Sequence, residues 1–95
     1  MKQLTEEQKK DIESRVRDVV SEMSGWRGSP TLSQRLQSDL DMDSLDLADL
    51  AMELEEEFSI AIPEERLSRK TPDKTVGQLV ALVWEIVAEK EGAEA

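Results

Sequence analysis

Apolar residues along this 95-residue chain recur at helical spacing, and no segment alternates as a strand would. Ile12, Val16, Val19, Val20 and Met23 form one stripe. Leu47, Leu50, Ala51, Leu54 and Phe58 form a second, and Val76, Leu79, Val80, Val83, Ile86 and Val87 a third. Residues three and four apart share one face of a helix, so each run predicts an amphipathic helix that buries one side. Two of these helices carry start signals. Thr5-Glu6-Glu7-Gln8 and Thr75-Val76-Gly77-Gln78 fit the capping box, in which a threonine hydroxyl accepts from an amide three residues on and a glutamine reaches back. Glu6 and Glu7 also place negative charge where the helix dipole favours it. The first helix is predicted from about Glu6 to about Met23, ended by Ser24-Gly25. The second begins at Ser44 or next to it and stops near Phe58. Ile62 precedes Pro63 and is expected to be extended, because a residue before proline avoids the helical region. Pro63 suits the first position of a short third helix over Glu64 to Ser68. The last helix opens at Thr75.

The connections differ in character. Gly25-Trp26-Arg27-Gly28-Ser29-Pro30 excludes regular structure, while Leu32, Leu36 and Leu40 recur every four residues and predict a short helical turn or a loop pinned by leucines. So long a connection is functional or partly ordered in most small domains. Arg69-Lys70-Thr71-Pro72-Asp73-Lys74 is a proline-broken loop with a basic tilt. The expected fold is all-α: a small antiparallel helical bundle of three main helices plus one short helix, with a long first loop. It forms a single domain over residues 1–95, ordered from about residue 5 to 88, with residues 89–95 as a frayed tail. Trp84 falls at the edge of the last stripe and is expected, like Trp26 in the loop, to cover the shoulder of the core.

Composition narrows the chemistry. With 12 basic and 22 acidic residues the net charge is −10, which disfavours nucleic acid and anionic membranes and favours partners with basic patches. The chain has no cysteine and no histidine, so it offers no disulfide, no thiolate ligand and neither of the commonest bases and metal ligands. It also lacks tyrosine. Met1-Lys2-Gln3-Leu4-Thr5-Glu6-Glu7 is too polar for a signal peptide, and no apolar run approaches the roughly 20 residues of a membrane span. A cytoplasmic protein without membrane insertion is the default expectation.

One stretch stands apart: Leu40-Asp41-Met42-Asp43-Ser44-Leu45-Asp46, a serine where loop becomes helix, with carboxylates on both sides. Asp43-Ser44 can be read simply as a helix start, since both residue types are preferred caps. A Ser-His-Asp site is impossible without histidine, and Asp41, Asp43 and Asp46 disfavour an alkoxide at Ser44. A calcium loop counted from Asp41 fails at Leu45, Asp46 and Met52, which fall on its third-ligand, glycine and closing-glutamate positions. A phosphate ester on Ser44 is chemically sensible, because a helix N-terminus presents unpaired amides and partial positive charge.

The sequence here resembles the acyl carrier protein family. The resemblance is carried by Asp43-Ser44-Leu45-Asp46, by Leu50 to Phe58 with its Glu55-Glu56-Glu57-Phe58 ending, by Ile60-Ala61-Ile62-Pro63-Glu64-Glu65 and by Thr75-Val76, and it covers nearly the whole chain. It implies a non-catalytic carrier. A phosphopantetheinyl transferase would place a 4′-phosphopantetheine arm from coenzyme A covalently on Ser44, and acyl groups would ride on the arm's thiol as thioesters. By the same resemblance, Asp43, Asp46, Asp49, Glu53 and Glu56, with Leu45 and Met52 as an apolar centre, would meet basic docking patches on acyltransferases, ketosynthases and other enzymes. A monomer is implied. An apolar cleft for the acyl chain would lie among the helices, with Leu36, Leu54 and Ile62 as candidate lining residues. The cargo would belong to fatty-acid, polyketide or specialised lipid biosynthesis. Two rivals remain at the level of sequence: an aminoacyl, peptidyl or D-alanyl carrier, and an unmodified acidic helical interaction module.

The chain departs from the family pattern in three places. Asp41 stands where a glycine is usual. The segment from Pro63 to Thr75 is a few residues longer than is common, and Lys74 replaces an apolar residue before Thr75-Val76.

Overall fold

The computed structural model describes residues 4–25, 30–68 and 71–94, with side chains as far as Lys90. Its helices are α1 (Glu6–Ser24), α2 (Ser44–Phe58) and α3 (Val76–Glu94). The start of α1 is capped as its sequence predicts: the Gln8 amide donates to the Thr5 hydroxyl at 3.1 Å, and the Thr5 amide donates to Gln8 Oε1 at 2.8 Å. Gly25 ends the helix at φ +71°, a left-handed conformation that a residue without Cβ adopts without steric cost. Thr75 and Gln78 make the same reciprocal pair at the start of α3.

Leu4, Gln8 and Ile12 at the start of α1 share a groove with Phe58 at the end of α2 and Val87 in the second half of α3. The Trp84 indole donates to the Lys9 carbonyl at 3.1 Å, and the Lys9 ammonium lies 5.5 Å from the ring centre. Helix α1 therefore runs antiparallel to both other helices, and Trp84 covers the edge of the core between α1 and α3. Trp26 lies outside the described residues. Arg15 fastens α1 to the end of α2. It donates to Glu57 Oε2 through Nε at 2.8 Å and Nη2 at 2.6 Å, and to the Glu57 carbonyl at 2.9 Å. The guanidinium also stacks on Phe58, 4.7 Å from the ring centre.

The three predicted stripes meet in one core. Val16 and Val20 of α1, Leu47, Leu50 and Leu54 of α2, and Val76, Leu79 and Val83 of α3 are closed to solvent. Leu36, Leu40 and Met42 from the first connection and Ile62 and Leu67 from the second complete it. No charged or polar side chain is buried there among the described residues, so apolar burial drives the assembly. Of the three leucines expected to pin the first connection, Leu36 and Leu40 do so, while Leu32 is exposed.

The short helix expected over Glu64 to Ser68 is absent. A single turn is closed there by the Arg66 amide donating to the Pro63 carbonyl at 2.9 Å. The chain bends at Leu67 and Ser68, and a second closure follows: the Thr71 amide donates to the Ser68 carbonyl, and the Thr71 hydroxyl both donates to that carbonyl and accepts from the Ser68 amide. Five residues between a proline and this closure are too few to repay helix nucleation. Of the basic loop that follows, Arg69 and Lys70 lie outside the described residues.

Loop and connector are sewn together further on. The Leu36 amide donates to the Lys74 carbonyl, the Val76 amide to the Gln34 carbonyl and the Gly77 amide to the Leu32 carbonyl, at 2.8–2.9 Å. Gly77 suits this approach, since a Cβ there would stand 3.1 Å from the Leu32 oxygen and the neighbour would have to give by a few tenths of an ångström. Beside this short ladder the Asp73 carboxylate accepts from the Gln37 amide at 2.9 Å, the Ser38 amide at 3.2 Å and the Ser38 hydroxyl at 2.6 Å. Partial burial pushes the Asp73 pKa up. The Ser38 hydroxyl, the two amides and the Arg35 charge together outweigh it and hold the pKa below the ordinary carboxylate value. The stabilisation from this group is thus complete above the unfolded pKa and is lost as pH falls through the lowered folded one.

Asp41 has φ +56°, so the turn into α2 takes the left-handed conformation that a glycine would adopt at low cost. Aspartate tolerates that region better than most residues, and a β-branched residue tolerates it poorly. Asp41→Val is expected to destabilise the fold by about 1–2 kcal/mol, read as a lowered urea midpoint, and Asp41→Gly by less than about 1 kcal/mol.

Candidate functional site

Ser44 is the first residue of α2 but not its cap. That role belongs to Asp43, whose carboxylate accepts from the Asp46 amide at 2.9 Å while Asp46 Oδ2 accepts from the Asp43 amide at 3.2 Å. The reciprocal box uses the two carboxylates that flank the serine and leaves the serine out. The Ser44 side chain is exposed, and its hydroxyl has no hydrogen-bond partner among the described residues. The first helical bond of α2 runs from the Leu47 amide to the Asp43 carbonyl, so the Ser44 and Leu45 amides ahead of it have no acceptor among the described residues. An ester phosphate on Ser44 would meet two unpaired amides and the positive end of the dipole.

A cavity of about 400 Å³ opens beside this hydroxyl. Ser44, Ala48, Ala51 and Met52 form its α2 wall, and Ile62, Glu64, Leu67 and Ser68 of the connector form the other. The α2 residues follow one helical face, and the two alanines make the room. Of the expected lining residues only Ile62 is present; Leu36 and Leu54 are packed in the core. Ala48, Ala51, Glu64, Leu67 and Ser68 were not expected from sequence, although the small residues four and seven positions after Ser44 carry a usable signal.

The acidic residues of α2 divide by role. Asp43 and Asp46 form the cap. Glu55 accepts from the Ile62 amide at 2.8 Å and Glu57 holds Arg15, so both serve the fold. Asp49, Glu53 and Glu56 are exposed and form no ion pair among the described residues. Leu45 and Met52, at 73% and 62% exposure, stand as large apolar side chains on the same helix. The expected docking residues thus share a helix but not a task.

Comparison with known proteins fits this geometry. Residues 14–83 match the family model described as the phosphopantetheine attachment site. The chain is therefore a phosphopantetheine-attachment domain, and 4′-phosphopantetheine is its cofactor. Over 86 residues it is 33% identical to an acyl carrier protein of Rhodococcus erythropolis, spanning 90% of this chain and 89% of that one. The chain belongs to the acyl carrier protein family, and its role is that of an acyl carrier. None of the helices among the described residues is long and apolar enough to cross a membrane.

Proposed function

We propose that Ser44 carries the phosphopantetheine arm and that the chain, itself without catalytic activity, holds acyl intermediates of fatty-acid, polyketide or specialised lipid biosynthesis. The observation that carries this reading is the exposed Ser44 hydroxyl at the start of α2, without a partner among the described residues and beside an apolar cavity. When bound, the arm supplies a terminal thiol on which acyl groups are held as thioesters. The chain supplies the rest. Ser44 offers the oxygen that becomes the phosphate ester. No base among the described residues bonds that hydroxyl, so the transferase accepts its proton. The amides of Ser44 and Leu45 favour the phosphate, and the cavity offers an acyl chain apolar walls within the usual size range of ligand sites.

Intact-mass analysis after incubation with coenzyme A and a broad-specificity phosphopantetheinyl transferase tests this reading. A gain of one phosphopantetheinyl group, mapped by fragmentation to residue 44, is expected. No gain with an active transferase refutes it.

Asp49, Glu53 and Glu56, with Leu45 and Met52, form the face offered to the transferase and to acyl-handling enzymes. Opposite charge steers encounter and sets orientation. Asp49→Lys, Glu53→Lys and Glu56→Lys combined should slow loading by roughly tenfold or more at low salt, with the gap closing as salt screens the charges. Asp43 and Asp46 are left intact because their loss would uncap α2. Equal rates at low salt would reduce this face to a solvated surface.

A further inference from the structure

The cavity beside Ser44 has walls from two separate stretches of chain, and their mutual position is not fixed by α2 alone. One wall ends in the turn that Ser68 makes with Thr71, two residues before Asp73. The loop that delivers Ser44 runs from Gln37-Ser38 through Leu40, Asp41, Met42 and Asp43, and it is folded back on itself by the Met42 amide donating to the Leu36 carbonyl at 3.0 Å. Asp73 joins the two. Its carboxylate takes three hydrogen bonds from Gln37 and Ser38, and its carbonyl accepts from Arg35 Nη1 at 2.6 Å. Bonds to an ionised acceptor are about twice as strong as neutral ones. The residue lies in the stretch between Pro63 and Thr75, and it stands outside the apolar core. Losing its side chain would therefore leave the packing of α1, α2 and α3 and the backbone ladder between the two stretches in place, and would remove the three bonds that extend this tie to Gln37 and Ser38.

We propose that Asp73 is a positioning residue of the attachment site: by bracing residues 37–38 it holds the connector wall against the Ser44 loop and limits how far the cavity opens around an acyl chain. This rests on Ser44 being the attachment point. It assigns to the connector a task in shielding the cargo, performed through hydrogen bonds made several residues away from both Ser44 and the cavity.

The test compares thioester protection in the full chain. Wild type, Asp73→Ala, Asp73→Asn and Ser38→Ala are loaded from octanoyl-coenzyme A by a broad-specificity transferase, and cleavage by hydroxylamine is followed by intact mass at neutral pH. Glu13→Ala, which removes an ion pair to Arg17 at 3.5 Å within α1 and away from the cavity, serves as a control for general loosening. Cleavage about fivefold to tenfold faster in Asp73→Ala is expected, with Ser38→Ala and Asp73→Asn between it and wild type, and Glu13→Ala unchanged. Circular dichroism establishes that the variants remain helical. Should Asp73→Ala fail to fold, Ser38→Ala against Glu13→Ala decides. Unchanged protection, equal loss in the Glu13 control, or a wild-type thioester as reactive as free octanoyl-pantetheine overturns the inference while leaving attachment at Ser44 standing. Failure of the wild type to load overturns both.

Discussion

Ser44→Ala is expected to abolish the phosphopantetheinyl mass gain and to leave the helical fold as it was. The first half follows from chemistry, since the substitution removes the oxygen proposed to form the ester. The second half follows from the division of labour at the start of α2. Serine at a helix start is ordinarily a cap, and its loss then costs about 1 kcal/mol. Here the cap is Asp43, paired reciprocally with Asp46, and the Ser44 hydroxyl bonds nothing among the described residues. Alanine is also the best helix former. The change in stability should stay within about 0.5 kcal/mol, a shift of a few degrees at most in the melting temperature. Intact mass after transferase treatment and thermal melting by circular dichroism check the two halves. Ser33→Ala and Ser59→Ala should still be modified. A mass gain surviving in Ser44→Ala would remove Ser44 from its proposed role whatever the fate of the fold.

What the sequence made legible was what local periodicity encodes. Each helix has an unbroken apolar stripe, and α1 and α3 carry capping boxes, so their starts fall where expected. Ser44 stood out because it sits at the junction of loop and acidic helix, and Leu45 and Met52 because they fall off the apolar stripe. Asp43 reads as one of two candidate caps beside Ser44, while Asp46 reads as a member of the charged face, because Asp-x-x-Asp is not the usual capping pattern. Only the backbone geometry reveals that they cap one another's amides. Asp73 was hidden for a different reason. Its partners lie 35 and 36 residues away, and nothing in local spacing announces a carboxylate that bonds two amides across the fold. The cavity was hidden because it is an absence of side-chain volume, seen only when Ala48 and Ala51 are set against Ile62 and Leu67. The missing short helix reflects a competition that propensity does not weigh. Pro63 and two glutamates suit a helix start, but the Ser68–Thr71 closure takes the next backbone groups first.

Two leucines on α2 should separate fold from function. Leu50 is 0% exposed and Leu45 is 73% exposed, five positions apart on one helix. Leu50→Ala removes a side chain at the centre of the core and leaves a void that its neighbours fill only in part. Such substitutions cost about 2–5 kcal/mol, against roughly 5–15 kcal/mol for a whole domain. A fall of more than about 10 °C in melting temperature is expected, together with a lower urea midpoint. At a temperature where the variant is still folded, arm attachment should proceed at near the wild-type rate, because the Ser44 turn and the acidic face are untouched. Leu45→Ala should do the reverse. Its side chain already faces water, so stability should change by less than about 0.5 kcal/mol. As the apolar centre of the proposed docking face it is placed like a binding hot spot, and loading efficiency should drop by roughly fivefold or more, chiefly through weaker binding to the transferase. Melting curves beside steady-state loading kinetics give both readouts. If the two variants lose stability equally, the burial difference between them is wrong; if Leu45→Ala loads normally, the exposed leucine has no part in docking.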